Sequence, residues 1–150
     1  RMPFNRADYY IQRPASMPRA CARNTGILYK ATINQGDGDL NRHPLIDCVA
    51  DMQVIFRLDT NNDGTIDSTV EDISGLTAQQ IREQLKEVRV YILSHEGEGD
   101  SAFKYSNNTV TVGEFGLGRT FNLSSVIGAG WENYRWKVSV LVVKPRNLTS

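Results

Sequence analysis

The stretch from Cys48 to Leu93 constrains the fold most, because its hydrophobic period passes from two to three or four and back to two within one short span. Met52, Val54, Phe56 and Leu58 alternate with Asp51, Gln53, Ile55 and Arg57, which is the pattern of a half-buried strand. Thr77 and Gln80 then stand at capping-box spacing, with Leu76 and Ile81 placed to clamp the first turn, so a helix is expected from Ala78. Ile81, Leu85 and Val88 recur at helical spacing, a stripe that would pack on a sheet, while Arg82, Glu83, Lys86 and Glu87 would face water. Val88, Val90 and Ile92 next alternate with Arg89, Tyr91 and Leu93, so a second strand follows with almost no linker.

Between the first strand and the helix lies an acidic loop, Asp59-Thr60-Asn61-Asn62-Asp63-Gly64-Thr65-Ile66-Asp67. Oxygen side chains at every second position around a turn-permitting glycine suit a hard cation, and calcium is the candidate. Asp59, Asn61 and Asp63 match the first three ligand positions of an EF-hand loop. Gly64 matches the turn, Thr65 the backbone carbonyl and Asp67 the water-bridging position. Val70 stands where the bidentate Glu belongs, so Glu71, Asp72, another carbonyl or water would have to complete the set. A merely solvated acidic turn is the alternative.

Around this centre, Ala7 to Gln12 reads as a short aromatic strand ended by Arg13-Pro14, and Gly26 to Ile33 as a second. Gly36-Asp37-Gly38-Asp39 reads as a loop tip rather than a further ion site. Phe103–Tyr105 and Thr109–Val112 read as two short strands around a Ser106-Asn107-Asn108 tip, with an edge strand at Thr120–Leu123. The last strand has Tyr134, Trp136, Val138, Val140 and Val142 on one face, and Arg135, Lys137, Ser139, Leu141 and Val143 on the other; its apolar content predicts a central position. Pro145 stops it, and Asn147 to Ser150 is a tail. One helix packed on an antiparallel sheet of six or seven strands predicts a single α+β domain over residues 1–150.

The composition limits what such a domain can do. Lys plus Arg equals Asp plus Glu at 17 each, so no net field recruits nucleic acid. The apolar run Val140–Val143 is far short of the ~20 residues that span a bilayer, and no signal-peptide pattern appears. Cys21 and Cys48 are the minimum for one disulfide, and neither lies in a Cys-x-x-Cys or His-rich cluster; a disulfide is therefore favoured over zinc or redox chemistry, and with it an extracytoplasmic setting. His43 and His95 are too few for a His-rich metal centre, and His95-Glu96 reads as a solvent-exposed pair at a strand end. The glycine-rich run Gly113 to Gly118 lacks phosphate-loop spacing and a following lysine. Trp131, Tyr134 and Trp136 could stack a sugar, but packing is the plainer reading. No catalytic constellation emerges, so an enzyme is not expected.

Five segments taken in order carry a resemblance. They are Ala7-Asp8-Tyr9-Tyr10-Ile11, Leu28-Tyr29-Lys30-Ala31, Cys48 to Val54, Ile81 to Leu93, and Tyr134-Arg135-Trp136-Lys137-Val138. Together they resemble the PilW family, minor pilins of type IV pili. The resemblance implies a pilin-like head whose N-terminal helix anchors the subunit in the inner membrane and later packs in the filament core. That helix is absent from this chain, which opens on Arg1 and is expected to be processed or trimmed. It further implies a Gram-negative periplasm, pilus or cell surface and no catalytic residues. The implied partners are other minor pilins or the major pilin, with a tip adhesin as a further partner, in a priming complex for pilus assembly. Two other readings remain: a minor pseudopilin of a type II secretion system, and a calcium-dependent module binding glycans through Trp131 and Trp136.

Overall fold

The structure is a computed structural model describing residues 6–34 and 36–145; the tail from Asn147 lies outside the described residues. In chain order the elements are β1 (Ala7–Gln12), β2 (Gly26–Ile33), β3 (Leu40–Leu58), β4 (Ser68–Val70), α1 (Ala78–Gln84) and β5 (Leu85–Glu96). They continue with β6 (Thr109–Val112), β7 (Arg119–Asn122), α2 (Leu123–Val126), a 3-10 turn (Trp131–Asn133) and β8 (Arg135–Val143). The main sheet runs β1-β2-β3-β5-β8 with β4 paired to β3, and β6-β7 form a separate two-stranded ribbon. The pairs β1/β2, β2/β3 and β3/β4 are antiparallel. This is an α+β architecture in which sheet predominates over short helices.

The described residues fall into two compact units, one from residues 6–34, 36–51, 93–108 and 122–137, the other from residues 52–92, 109–121 and 138–145. In the first, Val49, Leu93 and Leu123 are fully buried, with Leu28, Ala31, Ile127 and Trp136 close behind. Its β1 lies so near β2 that a Cβ on Gly26 would come within 2.7 Å of Ile11 and 2.9 Å of the Gln12 carbonyl oxygen, so only glycine fits. Tyr10 and Tyr29, partners in the register, stack at 6.0 Å between ring centroids. In the second unit Ile55 and Val112 are fully buried and Leu58, Tyr91, Ile92 and Phe121 nearly so.

Cys21 and Cys48 form a disulfide with 4.8 Å between their Cα atoms. The β2–β3 register shifts here: Gly26 pairs with Val49 but Leu28 with Ile46, so β3 carries an extra residue, and Cys48 takes a left-handed φ of 57°. A bulge with one left-handed residue bends the strand, and the bond to Cys21 holds that conformation in place.

Several expectations need correcting. The helix begins as expected, with Thr77 accepting from the Gln80 amide at 3.2 Å and the Gln80 side chain accepting from the Thr77 amide at 2.9 Å. It ends at Gln84, however, and none of its residues is buried. Leu85 and Glu87 are instead inward-facing strand residues of β5, whose buried set continues through Tyr91, Leu93 and His95. In β3 one face bears the buried Val49, Asp51 and Ile55, while on the other Met52, Val54 and Phe56 are half-buried and Leu58 is buried. Phe103–Tyr105 forms no strand, because the Phe103 amide closes a turn onto Asp100 and the Tyr105 amide reaches the Glu132 carbonyl; β6 pairs with β7 instead. Among the described residues β8 is an edge strand, not a central one, with β5 its one neighbour.

Cross-linked residues 27 apart in sequence should stabilise the fold by about 3.5 kcal/mol on the chain-entropy model. The Cys21→Ser/Cys48→Ser double variant is therefore expected to melt well below the parent, by about 7–14 °C for a chain of this size. Equal melting temperatures under oxidising conditions would show that the bulge at Cys48 holds without the bond.

Candidate functional site

The acidic loop begins where β3 ends. The Asp59 amide donates to the Gln84 carbonyl at 2.8 Å, tying the loop to the end of α1. Its carboxylate is fully buried and accepts from the amides of Asp63 at 3.1 Å and Gly64 at 2.9 Å. The Asn61 side chain accepts from the Asp63 amide at 3.0 Å, and the Asp63 carboxylate from the Thr65 amide at 2.7 Å. That Thr65 amide, followed by the Asn61 side-chain amide, holds the Asp63 carboxyl below its ordinary pKa. Left-handed Asn62 and Gly64, at φ 58° and 91°, make the reversal. Asp67 closes the loop by accepting from the Thr60 amide and hydroxyl, each at 2.9 Å, and donating its own amide to the Leu58 carbonyl at 3.0 Å.

The five expected ligand residues thus lie in one loop, but their carboxylates are turned onto the loop's own N–H groups. Lys86 Nζ stands 3.6 Å from Asp59 Oδ2 and supplies positive charge there. Glu71 accepts from the Gly118 amide at 2.6 Å, while Asp72 accepts from the Ser74 amide at 2.7 Å and from its hydroxyl at 2.9 Å. Among the described residues no group of three or more His, Cys, Asp or Glu side chains is poised around a shared point for a metal ion.

A second cluster, not foreseen from the sequence, surrounds Glu87. This side chain is buried, and one of its oxygens accepts from Arg89 at 2.6 Å and from Arg57 at 3.2 Å. Arg89 also pairs with Glu114 at 2.5 Å, and Glu114 accepts from the Tyr91 hydroxyl at 2.7 Å. Over the two guanidinium groups lies the half-exposed Phe115 ring, 4.8 Å from Arg57 and 5.1 Å from Arg89. Phe115 has a left-handed φ of 60° in a loop whose ends cross so closely that a Cβ on Gly118 would sit 2.2 Å from the Val112 carbonyl oxygen. The available clue was strand parity: Glu87, Arg89 and Tyr91 are two apart and so share a face.

In the first unit His95 is buried, which corrects its expected exposed position. Its Nε2 accepts from the Ala22 amide, next to the disulfide, at 2.9 Å, and its ring packs 4.4 Å from Tyr134 and 5.0 Å from Trp136. Burial lowers its pKa, in keeping with a neutral, accepting imidazole. Trp136 is buried and its indole donates to the Trp131 carbonyl at 2.8 Å, so it packs the core and presents no face to a sugar.

Arg89 first, then Arg57, pulls the Glu87 carboxyl below its ordinary value of 4.5, against the opposing effect of burial. A carboxyl with a depressed folded-state pKa stabilises fully above the unfolded value and loses that stabilisation as pH falls through the folded one. Stability should therefore drop below about pH 4.5. Glu87→Gln should cost about 2–3 kcal/mol at pH 7 and flatten the acid limb of a melting-temperature profile. A profile parallel to that of the parent would refute the assignment.

The family model described as Type IV Pilus-assembly protein W matches residues 8–147. No curated protein and no solved structure matches the chain. The match takes in both compact units, the disulfide, the acidic loop and the Glu87 cluster. On that coverage the chain belongs to the PilW family of type IV pilus-assembly proteins.

Proposed function

We propose that this chain is the globular head of a minor pilin that works in a priming or tip complex of the type IV pilus through protein–protein contacts. The observation that carries the reading is the family match across residues 8–147. The disulfide adds support, because such bonds persist in oxidising compartments such as the periplasm and cell surface. In this reading a pilin helix encoded upstream supplies the inner-membrane anchor, and the neighbours are other minor pilins, the major pilin and a tip adhesin. No helix among the described residues is long and apolar enough to cross a membrane. Deleting the gene should abolish or strongly reduce piliation, and the full-length protein should restore it. Normal pili together with a secretion defect would favour the pseudopilin reading, and normal pili with normal secretion would overturn both.

The acidic loop has a place in the same proposal as a calcium site that stiffens the head. Asp59, Asn61, Asp63, the Thr65 carbonyl and Asp67 would hold the ion. Glu71 and Asp72 would join only by leaving Gly118 and Ser74. What supports this is the donor set, all oxygen and spaced two apart, with a buried carboxylate at its base. Calcium would displace Lys86 from Asp59, so the affinity should be modest and should rise in Lys86→Met. Calcium at about 100 Kd is expected to stabilise the chain by about 2.7 kcal/mol, and the gain should vanish in Asp63→Ala. An unchanged melting temperature with no heat of binding, in both the parent and Lys86→Met, would refute the site.

A further inference from the structure

The connection between β1 and β2, residues 13–25, forms no helix or strand, and it is held to the rest of the first unit by bonds of different kinds. Cys21 is tied covalently to Cys48. The Asn24 side chain donates to the Val126 carbonyl at 2.7 Å. Between them Ala22 is 1% exposed, and its amide donates to His95 Nε2 at 2.9 Å. A buried amide needs an acceptor, and this one depends on an atom whose lone pair is lost when it binds a proton. Because Nε2 accepts, the neutral ring carries its hydrogen on Nδ1, which is buried and has no hydrogen-bond partner among the described residues. The next proton can go only to Nε2.

We propose that the Ala22–His95 hydrogen bond is an acid-released latch: a proton on Nε2 turns the acceptor into a donor, sets N–H against N–H, and lets residues 13–25 loosen around the disulfide while the sheet stays folded. The proton comes from solvent, and no covalent bond changes. The charged groups around the ring do little to hold a second proton there. From the β8 side it meets the rings of Tyr134 at 4.4 Å and Trp136 at 5.0 Å between centroids. On β3 the acidic residues flanking Cys48 are the exposed Asp47 and the buried Asp51. On β5 itself Glu96 follows, exposed and 3.8 Å from Lys137. The connection contributes Arg13, Arg19 and Arg23, all exposed cations that disfavour an imidazolium. None of these side chains sets the His95 pKa: burial lowers it first, against the backbone of Gly97 and then of Glu96.

A histidine whose folded-state pKa lies below the ordinary 6.5 binds its proton more readily once released. Opening is therefore favoured as pH falls below 6.5, and the effect levels off below the folded value. Glu87 responds only below about pH 4.5 and lies in the other unit, so the two acid responses are separable. The latch is a property of the folded head and stands whether or not the chain works in a pilus. Backbone amide exchange of the oxidised chain, corrected for the intrinsic rate at each pH, tests it. Between pH 7 and pH 5 the protection of the Ala22 and Thr25 amides should fall roughly tenfold, while protected amides within residues 52–58 and 85–92 keep theirs. His95→Gln sets an amide oxygen near the Nε2 position without a titrating group, and should keep the Ala22 amide protected at both pH values. The parent chain gives a second measurement if that variant does not fold: the His95 ring protons should titrate with a midpoint below 6.5. Ala22 protection that is independent of pH, an equal fall at residues 52–58 and 85–92, the same pH step in His95→Gln, or a ring midpoint at or above 6.5 would each overturn the proposal.

Discussion

Glu87 is a buried carboxylate, and an unpaired charge in that position would cost several kcal/mol. Its partners fix the second unit. Arg57 comes from β3, Arg89 from β5 itself, and Arg89 in turn holds Glu114 in the loop between β6 and β7. A slip of one residue in β3 or β5 would carry Arg57 or Glu87 to the opposite face and strand a charge, so the ion cluster specifies register as well as contributing to stability. Phe115 completes the arrangement by covering both guanidinium groups with an aromatic face, and the left-handed turn that holds it there is maintained by the close glycine crossing at Gly113 and Gly118.

The first unit meets the same requirement by other means. There the disulfide fixes an extra residue in β3, and the neighbouring Ala22 amide is taken up by a neutral imidazole, His95, from the buried face of β5. Asp59 shows a third solution: a fully buried carboxylate satisfied by two loop amides and one ammonium group. In each case at least one atom of an inward-facing polar group is matched by a hydrogen bond.

These matched groups also explain what could be read from the chain and what could not. Features set by local chemistry were legible: the ends of β1 and β2, the Thr77–Gln80 cap and the reversal at Gly64 agree with the structure. The pairing of Cys21 with Cys48 was legible because no third cysteine competes. What failed was the choice of inward face. Hydrophobic alternation favours Met52, Val54 and Phe56 in β3 and treats Glu87 and His95 as exposed, whereas the buried face carries polar residues whose partners lie far off in sequence. Arg57 and Glu87 are thirty residues apart, and Ala22 and His95 seventy-three. Such pairs exist only once the sheet has formed, so periodicity alone points the wrong way. The helix was overextended for the same reason, since Leu85 fits a helical stripe as well as it fits the first inward position of β5.

The misplacement of β8 has a different origin. A run such as Val140–Val143 is apolar enough to belong in the middle of a sheet, and a single chain offers no way to tell a strand flanked by two neighbours from one that leaves a side vacant. Inside one molecule that composition is a liability, because an unprotected apolar edge promotes association. Along β8 that liability is limited by Lys137 within the strand and by Lys144 and Pro145 just after it, the charge and proline that natural sheets place at exposed edges.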